Sequence, residues 1–291
     1  MGSDVVAVFG GPERLSGQAE TRLNQLERAW SRFIDDSDVS RLNRTGTWQR
    51  VNSDTITLFE RAVTAWEVTS GAFDPTVLPS LVATGYGASR SEHPGRTVLA
   101  SPSSRRTAPG MARIKIDAAR SRIYLPEDVG FDPGGIGKGL AADIVAGSLV
   151  TSGADAAMVA VGGDVRIAGD APTNWTVEVE SPFDPDDTIA KLRLLTGAVC
   201  TSSVRAKAWV HDAEEVHHII DPSTGDPASS SIVSATVITA DAWMAEALCK
   251  AAIMTEPLDA IAFCRAIGVD AIIVDIEGVV WTTDSIGRFA A

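Results

Sequence analysis

The chain has 291 residues, with 25 Lys and Arg against 38 Asp and Glu, a formal net charge of −13. Hydrophobic residues make up 45% and charged residues 22%, as in globular proteins, and the length suits one large domain or two small ones. The acidic balance, with no offsetting cluster of Lys or Arg, excludes a nucleic-acid clamp, and no apolar run approaches the roughly 20 residues of a membrane span.

The opening stretch MGSDVVAVFGG shows neither the basic nor the apolar region of a signal peptide. Cys200, Cys249 and Cys264 are odd in number and lack a CxxC pair. They fit buried thiols in a reducing compartment, so a cytoplasmic protein without a disulfide framework or zinc site is expected. From Ser16 to Phe33, the residues Ala19, Leu23, Leu26, Trp30 and Phe33 recur at spacings of three and four, which predicts an amphipathic helix capped by Ser16. Leu58, Ala62 and Trp66 predict a second helix over Asp54–Ser70, capped by Ser53 or Asp54 and stopped at Gly71. Both helices read as core packing.

Next comes TSGAFDPTVLPSL (69–81), where Gly71, Pro75 and Pro79 predict a rigid loop. Its Asp74 and Thr76 either face a ligand or form an Asx-turn after the helix stop. Residues 88–110, rich in Ser, Arg, Pro and Gly, read as a long loop or insertion, the best candidate for a mobile region or a junction. KIDAARSRIYLP predicts a hairpin, and GGIGKGLAADIVAGSLVTSG a helix begun through glycines. Strands are predicted in AAMVAVGGDVRIAGD, NWTVEVESP, KLRLLTGAVCTSS, AKAWVHD and SATVITA. Helices over Asp241–Met254 and Pro257–Ile267 follow, then a hairpin turning at Glu277-Gly278. Strands and helices mix without regular βαβ alternation, which favours an α+β fold.

Four further segments bear on chemistry. In FDPGGIGKGLAAD (131–143) the glycines permit close backbone approach, and the helix start offers N–H groups to an anion, with Lys138 beside it. The spacing matches neither a Walker loop nor GxGxxG, and a structural turn explains it equally well. VHHIIDPSTGDPA (216–228) carries His218 into a turn with Asp221 and Thr224, which suits a general base or a plain strand end with solvated imidazoles. The hydroxyls of AVCTSS (198–203) bind an anion or cap a turn. In AWMAEALCKAAIM, Glu246 and Lys250 stand four apart, the spacing of a helix-surface pair worth about 0.3–0.5 kcal/mol.

The order of MGS, WSRFIDDSDVSRLN, SGAFDPTVLP, DPGGIGKGLAAD, VGGDVRIAG, TSS and HHIIDPSTG resembles the ApbE family of FAD:protein FMN transferases over nearly the whole chain. GGIGKG, GGDVR and HIIDPSTG carry the most specific likeness. The resemblance implies one domain over residues 1–291, an α+β fold of two fused T-fold-like units with mixed or antiparallel sheets and packed helices. It also implies FAD as substrate: FMN passes to a threonine hydroxyl of a target protein and AMP is released, with Mg²⁺ as cofactor. The alternatives are a flavin-binding or flavin-trafficking protein of the same fold, and a pyrophosphatase giving FMN and AMP.

By the same resemblance, Met1, Phe33, Ala72, Phe73, Asp74, Asp132, Lys138 and Ile220 would contact FAD. The Gly135 carbonyl and Glu246 would be metal ligands, His218 would take the proton of the acceptor threonine, and Lys250 would line the catalytic site. The chain departs from the family at one telling place. Where the family has A-D-x-x-x-T, whose Asp and Thr oxygens hold magnesium, this sequence reads Ala245-Glu246-Ala247-Leu248-Cys249-Lys250. A protonated lysine ligates no metal. Either Lys250 supplies part of the metal's charge, or the protein binds FAD without rapid turnover. A smaller departure is TSSV at 201–204, where the family has TSG.

Overall fold

The computed structural model describes residues 4–89, 95–184 and 186–290. It divides into two compact units. The first takes in Asn24–Gly137 and Ala208–Ala228; the second takes the stretch up to Leu23, Lys138–Lys207 and the chain from Ser229 onward.

Strand β1 (Val5–Gly10) lies in the opening stretch, where its run of small and β-branched residues had no alternation to mark it. Helix α1 (Arg14–Trp30) starts two residues before Ser16, because Leu15 extends the buried row of Ala19, Leu26 and Trp30 by one turn. It stops at Trp30, and the Ser31 hydroxyl accepts the Phe33 N–H at 3.3 Å. Helix α2 (Asp38–Thr45) was not anticipated. Its Ser37 cap accepts the Ser40 N–H at 3.0 Å, and Gly46 ends it in the left-handed region at φ 61°.

After β2 (Trp48–Arg50) comes α3 (Ser53–Val68), capped by Asn52 rather than Ser53 or Asp54. Pro79 falls in the first turn of the short helix α4 (Leu78–Ala83), where a missing N–H costs nothing, so the expected rigid loop is partly helical. Strands β3 (Lys115–Asp117) and β4 (Arg122–Tyr124) form the predicted hairpin, and β2 joins it. The described part of 88–110 holds no helix and only one isolated bridge, Ala88 with Arg96. It is pinned: Ser80 Oγ accepts the Arg106 N–H at 3.1 Å, and Thr107 Oγ1 donates to the Ser223 carbonyl at 2.8 Å. Residues 90–94 lie outside the described residues.

Helix α5 (Gly137–Thr151) follows the glycines as expected. Then come β5 (Ala156–Val161), β6 (Asp164–Gly169), β7 (Trp175–Glu180), β8 (Thr188–Leu194) and β9 (Gly197–Ser203). The hairpin of β10 (Ala208–His211) and β11 (Glu214–His217) belongs to the first unit. Strand β12 (Ile232–Thr239), helices α6 (Ala242–Ile253) and α7 (Pro257–Ala266), and strands β13 (Asp270–Asp275) and β14 (Val280–Thr282) complete the second.

In the second unit, seven strands pair antiparallel in the order β1-β5-β6-β9-β12-β13-β14. Helix α6 packs on β9 and β12, and α7 on β13. Val165, Ile167, Val199, Ile238 and Ile272 of the sheet pack with Val177, Val179, Leu192 and Leu194 of the β7–β8 hairpin. Coverage on both faces explains why β12 and β13 are buried almost throughout, while β7 alternates between buried and exposed positions.

Candidate functional site

In the second unit, α6 is held at its start by a side chain from α5. Both Asp143 carboxylate oxygens accept backbone N–H groups, of Ala242 and of Trp243, each at 2.9 Å, while Asp241 at the cap position makes no such bond. Arg166 Nε lies 3.1 Å from the same carboxylate. Burial pushes the Asp143 carboxyl up to about 6 despite these partners. The first turn of α5 approaches α6 so closely that a Cβ on Gly139 would lie 2.3 Å from the Ala242 carbonyl oxygen. Two thiols sit behind the contact: Cys200 Sγ donates to the Ala242 carbonyl at 3.3 Å, and Cys249 Sγ to the Cys200 carbonyl at 3.1 Å. Burial raises both, Cys249 to about 12, so they are neutral packing groups.

This clamp brings together Lys138, Glu246 and Lys250. Glu246 Oε1 accepts from Lys138 Nζ at 2.8 Å and from Lys250 Nζ at 3.1 Å, while Oε2 accepts the Gly139 N–H at 2.9 Å. Lys138 Nζ also donates to Asp164 Oδ2 at the start of β6. Glu246 is fully buried, so the helix-surface pair read from its spacing with Lys250 is in fact a core ion pair. Burial disfavours the charged carboxylate, yet Lys138, Lys250 and the Gly139 N–H together hold Glu246 below its ordinary pKa. Burial also lowers the Lys138 pKa, against the pull of Glu246. Asp164 Oδ1 is buried and has no hydrogen-bond partner among the described residues, and the same holds for Ser202 Oγ in the TSS segment. Thr201 Oγ1 pairs with Thr236 Oγ1 across the sheet at 2.9 Å, and at the end of the strand Ser203 Oγ accepts the Arg205 N–H at 3.2 Å, so one hydroxyl of TSS does cap a turn.

The donor set does not fit a magnesium ion. Among the described residues no group of three or more His, Cys, Asp or Glu is placed to hold a metal. Both carboxylates of the cluster are already paired with lysine. A divalent ion about 4 Å from a lysine ammonium meets repulsion of about 8 kcal/mol at an effective dielectric of about 20. Gly135, the other expected ligand, ends a 3₁₀ turn, Pro133–Gly135.

In the first unit, Arg32 organises the surroundings of Phe33 and Asp132. Its buried guanidinium lies 4.2 Å from the Phe33 ring centre and 4.8 Å from that of Tyr86, and Nε stands 3.0 Å from Asp132 Oδ1. Tyr86 in turn packs at 5.4 Å against Trp209, whose Nε1 donates to the Thr84 carbonyl at 2.8 Å. Ala72, Phe73 and Asp74 share one turn. Asp74 Oδ1 accepts from the Thr76 N–H at 2.8 Å and its hydroxyl at 2.6 Å, the Asx-turn weighed above, and burial raises its pKa.

His218 and Ile220 sit just after β11, half-buried and buried respectively. Beside them His217 is fixed by the backbone. Its Nδ1 accepts the Ile219 N–H at 3.3 Å, its Nε2 donates to the Ala228 carbonyl at 3.0 Å, and burial lowers its pKa. Asp221 Oδ1 accepts from the Ser223 N–H and hydroxyl, closing the DPSTG turn. Met1 lies outside the described residues.

Sequence reasoning missed Arg32, Asp143 and Asp164 as functional partners. Asp143 and Asp164 had one available signal: Asp143 ends DPGGIGKGLAAD and Asp164 lies in GGDVR, both stretches that carry the resemblance. Arg32 lies in WSRFIDDSDVSRLN, but its partner Asp132 stands far along the chain, so the pairing itself had no local signal.

Fold and site define an α+β protein with an antiparallel sheet, in which a glycine-led helix presents a lysine to a buried glutamate on a second helix. Residues 1–273 match the ApbE family, and the chain belongs to it. It is 28% identical over 242 residues to an FAD:protein FMN transferase of Vibrio cholerae, covering 80% of this chain and 71% of that one. A Treponema pallidum protein of the same name is 28% identical over 274 residues, covering 87% and 75%. The crystal structure of the ApbE protein of Thermotoga maritima superposes with a TM-score of 0.84 at 26% identity, over 99% of each chain. The apo flavinyl transferase ApbE of Pseudomonas stutzeri shares the fold, with a TM-score of 0.77 at 24% identity over 99% and 97%.

Proposed function

We propose that this chain is an FAD:protein FMN transferase, moving FMN from FAD to a threonine hydroxyl of a target protein with release of AMP. The observation that carries this reading is the pair of lysine ammonium groups held on one buried carboxylate, in a chain whose relatives bear the transferase name. The threonine oxygen attacks the FMN-side phosphorus, the bond from that phosphorus to the AMP oxygen breaks, and AMP leaves. Lys138 and Lys250 offset the negative charge of the pyrophosphate as it opens. His218 takes the threonine proton, since an imidazole titrates near neutrality and the alcohol needs a base.

The test is chromatography of AMP after incubation with FAD, with and without a peptide carrying an acceptor threonine. AMP only in the presence of peptide is the expected result. AMP in both mixtures points to the pyrophosphatase. No AMP with any divalent metal present or absent contradicts both enzymatic readings.

A further inference from the structure

We infer that Lys250, together with Lys138, does the work of a divalent metal here, so that the protein binds the FAD pyrophosphate without one. This rests on the proposed function and specifies how its anionic substrate is met.

The orientation of the charges carries the inference. The carboxylates form the closed side of the cluster: the Glu246 side chain is 0% exposed and that of Asp164 is 1% exposed. The lysine side chains form its less buried side, with Lys138 20% and Lys250 14% exposed. A site built to take a cation presents carboxylate oxygens to the incoming ion; here the carboxylate side chains are the most deeply buried members and the lysine side chains lie nearer the solvent. Two lysines against two carboxylates leave no net negative charge to attract a metal, whereas an approaching pyrophosphate meets the lysine side chains before the carboxylates. Glu246 is accordingly an anchor. Its Oε1 holds both ammonium groups side by side, and its Oε2 ties the cluster to the first turn of α5 through the Gly139 N–H. The extra methylene of glutamate over aspartate lengthens that reach. Lys250 is thus not an incidental replacement of a metal-ligating hydroxyl. It brings a charge to the position where a hydroxyl would only have helped to hold one.

The experiment is a titration of metal-stripped protein with FAD, followed by flavin fluorescence, in buffer containing either EDTA or Mg²⁺. In parallel, Mn²⁺ is titrated in the presence of FAD and followed by electron paramagnetic resonance. For the wild-type chain the FAD dissociation constant should agree within about twofold between the two buffers, with no stoichiometric loss of the free Mn²⁺ signal. Lys250→Met should weaken FAD binding by about tenfold or more without recovery on adding Mg²⁺, whereas Lys250→Arg, which keeps the charge, should retain most of the affinity. Thermal melts establish that each variant is folded.

A wild-type affinity that drops about tenfold in EDTA, or stoichiometric Mn²⁺ binding, overturns the inference and leaves the functional reading standing. A folded Lys250→Met that binds FAD as the wild type does also overturns it. If the wild-type chain binds no FAD in either buffer, the functional reading falls and takes this inference with it.

Discussion

Lys138 Nζ lies 2.8 Å from Glu246 Oε1, joining residues 108 positions apart in the sequence, inside the second unit. Both side chains left water to make that contact, and each depends on the other to offset its desolvation. Glu246→Ala should therefore destabilise the protein by about 3–5 kcal/mol, because two lysines lose their shared acceptor and the Gly139 N–H is left unpaired. Urea denaturation measures this. A loss under about 1 kcal/mol would mean that Lys138 and Lys250 find other partners.

Two glycines of α5 should respond to alanine with opposite signs. At Gly139 a Cβ would sit 2.3 Å from the Ala242 carbonyl oxygen, so α6 must shift and Gly139→Ala should cost about 2–3 kcal/mol. At exposed Gly147 nothing lies within 4 Å of the added Cβ. There Gly147→Ala should stabilise by about 0.5–1 kcal/mol through helix propensity alone. Melting curves of the two variants, recorded side by side, decide the matter; equal shifts would contradict the close approach of the two helices.

Asp143 makes stability depend on pH. Its folded pKa of about 6 lies above the ordinary 3.8, so the folded chain holds this proton more tightly than the unfolded chain. The contribution is fully present below about pH 4 and is lost as the pH rises through about 6. Relative to Asp143→Asn, the wild type should lose about 1 kcal/mol between about pH 5 and about pH 7. Parallel pH profiles of the two proteins would show instead that Asp143 stays ionised throughout.

The two adjacent histidines should separate cleanly. His217→Ala removes an acceptor for the Ile219 N–H and a donor to the Ala228 carbonyl, and should cost about 1–2 kcal/mol of stability. His218→Ala should slow AMP release in the presence of peptide by about 10²–10⁴-fold. If His217→Ala slows the reaction while His218→Ala does not, the assignment of the base is reversed.

Much of this architecture was legible locally. The apolar rows of α1 and α3, the β-branched strands and the Glu277-Gly278 turn are short-range patterns, and each appears within a few residues of its expected bounds. Helix α2 escaped because eight residues with four charged or amide side chains give little apolar periodicity; its Ser37 cap and Gly46 stop were the readable signs. Pro79 read as a loop residue although the first turn of a helix tolerates it. The burial of the Lys138–Glu246–Lys250 cluster was not legible. The spacing of Glu246 and Lys250 is the same for a surface pair and a core pair, and only Lys138 and Asp164, brought in from distant segments, distinguish the two.

The proposed transfer is tested most directly by mass spectrometry of a threonine-containing acceptor peptide after incubation with the protein and FAD. The expected product is the peptide carrying FMN as a phosphoester on its threonine, formed in equal amount with AMP and absent when His218 is replaced by alanine. Unmodified peptide in a mixture where the protein holds FAD would contradict the transferase and leave a flavin-binding protein in its place.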